Sequence, residues 1–342
     1  FVMNTSSIPN QGIYRKCPKS PYISTVSCGD IEFQAPIIVT NNDFRFIVVE
    51  QLQDLDIDPG AILIEPEPRN TAPAILAAVE HLLSLDQNAL VLVMPSDHLV
   101  PDPASFVRCV REGVRAAIDG NIITFGVQPS RPETGYGYIE CSFEEKSEIA
   151  SVNSFVEKSD DPTAERYVAE GKHFWNSGIF LFRASDLRDA VALYSPDLLE
   201  PVATAVENGE EDLGFLRLAA EPWSKCPDIS IDYAVMERAE NVSAVRFVGE
   251  WSDLGGWDAV WSESAPDTSG NVTSETGHAI QCSNTLLRSE SSSQHIVGIG
   301  LENIIAVAMP DAVLVASKER SQDVNAAVSL LKSKQIPQAE VF

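Results

Sequence analysis

From about residue 35 the chain alternates short, continuous apolar runs with stretches of helical periodicity. "APIIVT" (35–40) predicts a strand, "NDFRFIVVEQLQDL" (42–55) a helix capped by Asn42 or Asp43, and "AILIE" (61–65) a second strand. "TAPAILAAVEHLLSL" (71–85) predicts a helix started by Thr71 with Pro73 in its first turn, and "ALVLVM" (89–94) returns to strand. Strands that are apolar throughout, rather than at alternate positions, belong to a parallel sheet covered by helices on both faces. Sheets of that kind hold ligands just beyond the carboxyl ends of their strands. The run "NALVLVMPSDHLVPD" (88–102) ends in Pro95, Ser96, Asp97 and His98, which places a carboxylate and an imidazole at such a strand end.

Further along, "NIITFGV" (121–127), "YGYIEC" (136–141), "IASVNSFVEK" (149–158), "FWNSGIFLFR" (174–183) and "VSAVRFV" (242–248) predict strands, with a helical stretch from about 185 to 220. From about residue 270 the texture changes to Ser, Thr, Asn and Gly with short apolar doublets and triplets. This pattern predicts a small all-β appendage, a few coils of a parallel β-helix, closed by an amphipathic helix over about 320–334. The expected division is 1–34, an atypical N-terminal segment; 35–264, an α/β domain; and 265–342, the β-rich appendage with its helix.

Composition narrows the function. The chain has 342 residues, 44% of them hydrophobic, enough for a large core and more in keeping with two domains than one. With 24 Lys and Arg against 50 Asp and Glu, its formal charge of -26 argues against nucleic acid as a partner. A phosphate ligand would need a bound cation or a local Lys/Arg cluster to reverse that field. Six cysteines are scattered without a CxxC pair or zinc-type His spacing, which points to small buried hydrophobes. No apolar run approaches the roughly 18 residues of a membrane helix, so no membrane partner and a cytoplasmic location are expected. The opening at Phe1 instead of Met leads us to expect that the written start is not a natural one.

Several stretches combine residue types that carry chemistry. "EPEPRNTAPA" (65–74) runs from a strand through a Pro-bounded turn to a helix amino terminus; it is either an anion- or base-facing site or a well-capped helix with Asn70 or Thr71 as cap. In "RPETGYGYIE" (131–140), Gly135 and Gly137 flank Tyr136, for close approach of a ligand or for the turn alone. "FVEKS" (155–159) ends a strand with Glu157 and Lys158, a hydroxyl acceptor beside a phosphate-binding cation or a solvated strand end. Asn176, inside an otherwise buried strand, either braces a loop or faces a polar ligand. Asp253 in "EWSDLGGW" (250–257) is a second carboxylate after an apolar strand. Together with Asp97 it is the donor set of a magnesium ion shared with substrate phosphates, or else it caps the following helix. His98 supports Asp97 or its loop by hydrogen bonding; no Ser or Cys nucleophile is arranged around it.

The order of these motifs is more specific than any one of them. "EPEPRNTAPA", "VMPSDH", "ETGYGYIE", "SFVEKS", "WNSGIFLF", "SIDYAVME" and "WSDLGGWDAVW" closely resemble, over roughly residues 35–330, the bacterial mannose-1-phosphate guanylyltransferases of the sugar nucleotidyltransferase superfamily. The resemblance implies an α/β fold: a Rossmann-like nucleotidyltransferase domain with a mixed, mostly parallel sheet, followed by a short left-handed parallel β-helix. It implies GTP and α-mannose 1-phosphate as partners, GDP-mannose and pyrophosphate as products, and Mg²⁺ as cofactor. Carried over by position, Asp97 and Asp253 are the metal ligands and catalytic groups, together with Lys158 on the sugar phosphate. Glu157, Asn176, Gly178, Gly137 and Tyr136 surround the mannose, and Arg69, Asn70, Thr71 and Ser96 lie by the nucleotide. Dimers are common in the family, so a homodimer is the implied assembly.

The departures are specific too. Family members open with a strand and a loop of the form GGxGxRLWPxSR, then PKQF. Residues 1–34 contain neither, and "RKCPKSP" (15–21) echoes PKQF only through Lys19, a candidate phosphate contact. Ser159 stands where the family's Glu-Lys-Pro has proline. The expectations are a poorly packed or non-family path over the first thirty residues, and weak or absent activity for the chain as written. A catalytically impaired nucleotide- or sugar-phosphate-binding relative, or the same chemistry on another hexose 1-phosphate, are the alternatives. Ending at Phe342, the chain stops before any isomerase-type domain, and isomerase activity is not expected.

Overall fold

The structure, a computed structural model, describes residues 2–4, 33–144, 147–157 and 159–336. These residues form two compact units that divide between Trp251 and Ser252, where the sequence pattern placed the change near 264.

The first unit carries the strands β1 (Val2–Asn4), β2 (Ile37–Asn41), β3 (Ala61–Glu65), β4 (Leu90–Pro95), β5 (Ile122–Val127), β6 (Tyr138–Cys141), β7 (Ile149–Val156), β8 (His173–Arg183), β9 (Glu210–Asp212), β10 (Phe215–Arg217) and β11 (Val242–Phe247). Its helices are α1 (Arg45–Asp54), α2 (Thr71–Leu85), α3 (Pro103–Ile118), α4 (Asp161–Glu170), α5 (Ala184–Tyr194), α6 (Leu199–Glu207) and α7 (Ala220–Trp223). The strands join in one sheet of order β5-β11-β7-β6-β8-β4-β1-β2-β3-β10-β9, in which β5 also pairs with β8.

Both faces of the sheet are covered at β2, β3, β4, β5 and β8, which is why these strands read as unbroken apolar runs. On one face α2 is buried nearly all round, its Leu76 and Val79 packing with Val39, Leu63, Val91, Phe182 and Trp223. On the other, Phe106 and Val110 of α3 meet Leu92, Phe125, Leu181 and Val245, while Val48 and Leu52 of α1 cover Ile38, Ile62 and Ile64. Four cysteines among the described residues, Cys109, Cys141, Cys226 and Cys282, are free and buried, in keeping with a packing role.

Three expectations are corrected. The sheet is evenly mixed, not mostly parallel: five ladders are parallel and six antiparallel among the described residues. The antiparallel strands β6 and β8 are sandwiched like the parallel ones, so apolar continuity did not reveal direction. The N-terminal segment does contain a strand: β1 lies parallel between β2 and β4, with Met3 opposite Ile38 and Met94. At three residues followed by Thr5, Ser6 and Ser7, it is too short to show a period. Finally, β9 and β10 form a hairpin inside the stretch expected to be helical. Its turn is Leu213-Gly214 with φ of 54° and 84°, and a leucine where Asn or Asp usually signals such a turn hides it.

The second unit holds α8 (Trp257–Ser262), β12 (Val272–Thr273), β13 (Gly277–Ile280), β14 (Leu286–Ser289), β15 (Ile296–Ile299), β16 (Ile304–Ala308), β17 (Val313–Ser317) and α9 (Val324–Ser333). Strands β12, β14 and β16 pair in parallel, as do β13 and β15, and β17 closes the set antiparallel to β16. The pairs Gly277–Ile296, Ser283–Glu302 and Leu286–Ile305 share one offset of 19 residues, so β13 and β14 each lie on the strand one repeat later. Leu286, Ile305 and Val307 fill the interior with Trp257 and Trp261. The buried Asn271 holds two of the turns, donating to the Cys282 carbonyl at 2.9 Å and accepting from the Thr285 N–H at 3.2 Å.

Candidate active site

The long strand β8 changes partner part-way along one edge. Its residues 180–183 pair with β4 and 173–175 with β6, so Asn176, Ser177 and Gly178 occupy the gap between these two neighbours. β4 ends in this gap at Pro95 and delivers Ser96, Asp97 and His98 to it. Gly178 takes a φ of +67°, a left-handed conformation that favours glycine; a Cβ there would stand 3.7 Å from Cε1 of His98 and 3.9 Å from Pro95. At the start of β6, the Gly137 carbonyl accepts the Asn176 N–H at 2.8 Å. A Cβ on Gly137 would lie 3.2 Å from Oε2 of Glu157. The split therefore brings Asp97, Ser96, Gly137, Glu157, Asn176 and Gly178 to one end of the sheet.

The Asn176 amide is held on all but one of its hydrogen-bonding positions. Its Oδ1 accepts from the Thr124 hydroxyl at 2.8 Å and the Gly178 N–H at 3.3 Å, and its Nδ2 donates to Oδ1 of Asp232 at 3.1 Å. Asp232, which was not singled out from sequence, opens a π turn over Asp232–Met236. Burial pushes its carboxyl up to about 6, with the Asn176 N–H pulling the other way. The signal for it was an acid set among the apolar residues of "SIDYAVME", whose Ile231, Ala234, Val235 and Met236 are all buried.

His98 is almost wholly enclosed, and burial drives its pKa down to about 3. The ring is neutral, and its Nδ1 accepts from Nε1–H of Trp251 at 3.4 Å, leaving the proton on Nε2. Nε2 stands 3.9 Å from Oδ1 of Asp97, too far for a hydrogen bond to that carboxylate, one of the two partners expected from sequence. Tyr136 packs edge-on against both Trp251 and Trp175, centroids 5.2 and 5.1 Å away, and so belongs to the aromatic wall behind His98.

At the start of α2, Asn70 is the cap: with φ +66°, its side chain accepts the Thr71 N–H at 2.9 Å. The Thr71 hydroxyl accepts the Ile231 N–H at 2.9 Å, and Ala72 donates to the Ile229 carbonyl. Arg69 is spent on structure, donating to the carbonyls of Ser224 and Cys226 and pairing with Glu67. Glu65, at the carboxyl end of β3, is fully buried with neither oxygen hydrogen-bonded, and burial pushes its carboxyl up to about 8.

Lys158 and Lys19 lie outside the described residues. Asp253 belongs to the second unit, where its Oδ1 accepts the Gly255 N–H at 2.9 Å in a tight turn; the cap of α8 is Gly256, so Asp253 does not cap that helix. No group of three or more metal-type side chains occurs among the described residues. A magnesium ion held by one or two carboxylates plus substrate phosphates needs no such group, and the carboxylate of Asp97, 29% exposed beside a neutral imidazole, has the hard oxygen it prefers. No helix among the described residues is long and apolar enough to cross a membrane.

The chain belongs to the nucleotidyl transferase family, whose model matches residues 22–270. It is 40% identical over 299 residues to the xanthan biosynthesis protein XanB of Xanthomonas campestris, covering 87% of this chain and 63% of that protein. Over 300 residues it is 38% identical to a mannose-1-phosphate guanylyltransferase of Sinorhizobium fredii, covering 87% and 58%. The chain thus spans about three-fifths of the length of these relatives. A solved structure from Thermus thermophilus, described as a mannose-1-phosphate geranyltransferase, superposes with a TM-score of 0.73 at 27% identity, covering 87% of this chain and 84% of that one.

Proposed function

We propose that the chain makes GDP-mannose and pyrophosphate from GTP and α-mannose 1-phosphate. The observation that carries this is the gathering of Glu157, Gly137, Asn176 and Gly178 at the split in the sheet, beside Asp97, in a chain 38% identical to a mannose-1-phosphate guanylyltransferase. Glu157 accepts from the sugar hydroxyls, the Asn176 amide presents its remaining N–H, and Gly137 leaves room for the ring. Asn70 and Thr71 form the helix amino terminus nearest the nucleotide, with Ser96 at the end of β4.

A phosphate monoester is mostly ionised at neutral pH, its second pKa being about 6, so the attacking oxygen needs no general base. A neutral His98 with Nδ1 occupied is consistent with that. What the residues must do is align one polyanion on the α-phosphorus of another. Mg²⁺ supplies charge neutralisation when bound, and a chain of net charge -26 has need of it; Asp97 offers it a carboxylate. The second ligand, Asp253, and the phosphate contacts Lys158 and Lys19 rest on the sequence resemblance alone. So do a left-handed winding of the stacked strands and a homodimer; a cytoplasmic location rests on the apolar pattern of the chain alone.

The test is pyrophosphate release from GTP plus mannose 1-phosphate with Mg²⁺, in the parent and in Asp97→Asn and Asp253→Asn. Release in the parent, cut on the order of a hundredfold or more in each variant, supports transfer with both carboxylates on the metal. No release from the parent overturns it; retained binding of mannose 1-phosphate would then leave a sugar-phosphate-binding protein without transfer. Equal turnover of glucose 1-phosphate would overturn the sugar assignment alone.

A further inference from the structure

The "SIDYAVME" segment reaches both the start of α2 and Asn176 of β8. Its Ile231 N–H, and the carbonyl of Ile229 just before it, bond to Thr71 and Ala72 at the start of α2. Its Asp232 carboxylate takes the Asn176 amide. Glu237, five residues after Asp232, has its carboxyl pushed up by burial, with the backbone of Glu157 among the groups that pull it back down. Between them the chain makes a π turn, in which Glu237 N–H donates to the Asp232 carbonyl at 3.0 Å. An α-helix would set residues five apart about 140° round its axis. The wider i to i+5 turn brings them close to the same side, so one short element serves both β7 and β8.

We propose that Asp232 is a positioning residue for sugar recognition, fixing which way round the Asn176 amide is held. The Thr124 hydroxyl and Gly178 N–H both face the amide oxygen, and a carboxylate faces the amide nitrogen. Turning the amide over would set N–H against N–H at Gly178 and oxygen against carboxylate at Asp232. Only one orientation is satisfied, and it leaves one Nδ2–H as a donor for a ligand oxygen. The site therefore presents a fixed donor here, suited to a sugar hydroxyl. This rests on the proposed sugar site, but the orientation of the amide can be read without any ligand.

The experiment uses Asp232→Asn, Asn176→Ala and the double variant, with Asp232→Glu as the conservative replacement. In the unliganded chain, NMR of the Asn176 side-chain amide should show two well-separated proton shifts with one slowly exchanging; Asp232→Asn should collapse both features. Titrated with α-mannose 1-phosphate, Asp232→Asn should bind roughly tenfold more weakly, as loss of a charged hydrogen-bond partner predicts, with KM for GTP unchanged. It should add nothing further in the Asn176→Ala background, and Asp232→Glu should restore part of the affinity. An unchanged amide spectrum in Asp232→Asn overturns the proposal whether or not sugar binds. So does an additive loss in the double variant, which a general structural role would give. Failure of the parent to bind mannose 1-phosphate overturns the sugar-site assignment and the sugar part of this proposal, while the amide spectrum still decides whether Asp232 orients Asn176.

Discussion

The indole Nε1–H of Trp251 donates to Nδ1 of His98 across 3.4 Å, and the two rings meet edge to face at 88° with centroids 5.2 Å apart. This contact selects the tautomer of a buried neutral histidine and turns its remaining N–H toward Asp97. Trp251→Phe keeps an aromatic ring against Tyr136 but removes the donor. We expect the chain to fold, the His98 ¹⁵N shifts to report a mixture of tautomers, and kcat to fall several-fold, about what one hydrogen bond of roughly 1 kcal/mol can control. A single unchanged tautomer would show that Trp251 does not set it.

Gly178 permits a conformation more than it provides space. A Cβ there would make only ordinary contacts at 3.7 and 3.9 Å, whereas φ of +67° is costly for any residue with a side chain. Gly178→Ala should therefore lose about 1–2 kcal/mol of stability in chemical denaturation. Because the Gly178 N–H helps hold Asn176, affinity for mannose 1-phosphate should fall in the same variant. Loss of stability with sugar affinity intact would separate the two effects.

Thr71 was expected beside the nucleotide, yet its hydroxyl oxygen accepts the N–H of the residue next to Asp232. Thr71→Val removes that acceptor at nearly constant volume, at a cost of about 1 kcal/mol. The informative readout is kinetic: KM for mannose 1-phosphate should rise several-fold, because the strut that holds Asn176 is loosened. A change confined to KM for GTP would instead put Thr71 on the nucleotide alone.

Much of the frame was legible because it rests on local patterns. The helix expected over 71–85 is α2 at those bounds, and β2, β3, β4 and β5 lie within a residue or two of their apolar runs. Strand direction was not legible: β8 is antiparallel to β4, β5 and β6, but being covered on both faces it has the same continuous apolar run as a parallel strand. Nor was β1, three residues long, or the β9–β10 hairpin, stabilised by pairing with the edge of β3 and turned at Leu213. At the site, motif order brought Glu157, Asn176 and Gly178 into view together. Asp232 was missed because its function is contact with Asn176, 56 residues earlier, which no local spacing encodes. Arg69 was read as facing a ligand because sequence cannot show that backbone carbonyls more than 150 residues away already occupy it.

Glu65 makes a prediction about stability that needs no substrate. Its carboxyl is fully buried, neither oxygen is hydrogen-bonded, and burial pushes it from 4.5 to about 8. The folded chain thus holds a proton that the unfolded chain releases above about pH 4.5. The stability linked to this group is complete below that pH and is lost as pH rises toward 8. Glu65→Gln mimics the protonated acid at every pH. The two proteins should be nearly equal in stability at pH 5. By pH 8 the variant should be the more stable by about 2–4 kcal/mol, since each tenfold difference in proton affinity between the folded and unfolded chain is worth roughly 1.4 kcal/mol. Asp232 and Glu237, also raised by burial, push in the same direction but do so in both proteins and cancel in the comparison. Denaturation midpoints of the pair at pH 5, 6.5 and 8 check this. Parallel curves would mean that Glu65 is ionised in the folded chain and that its charge is met by a group near the carboxyl end of β3.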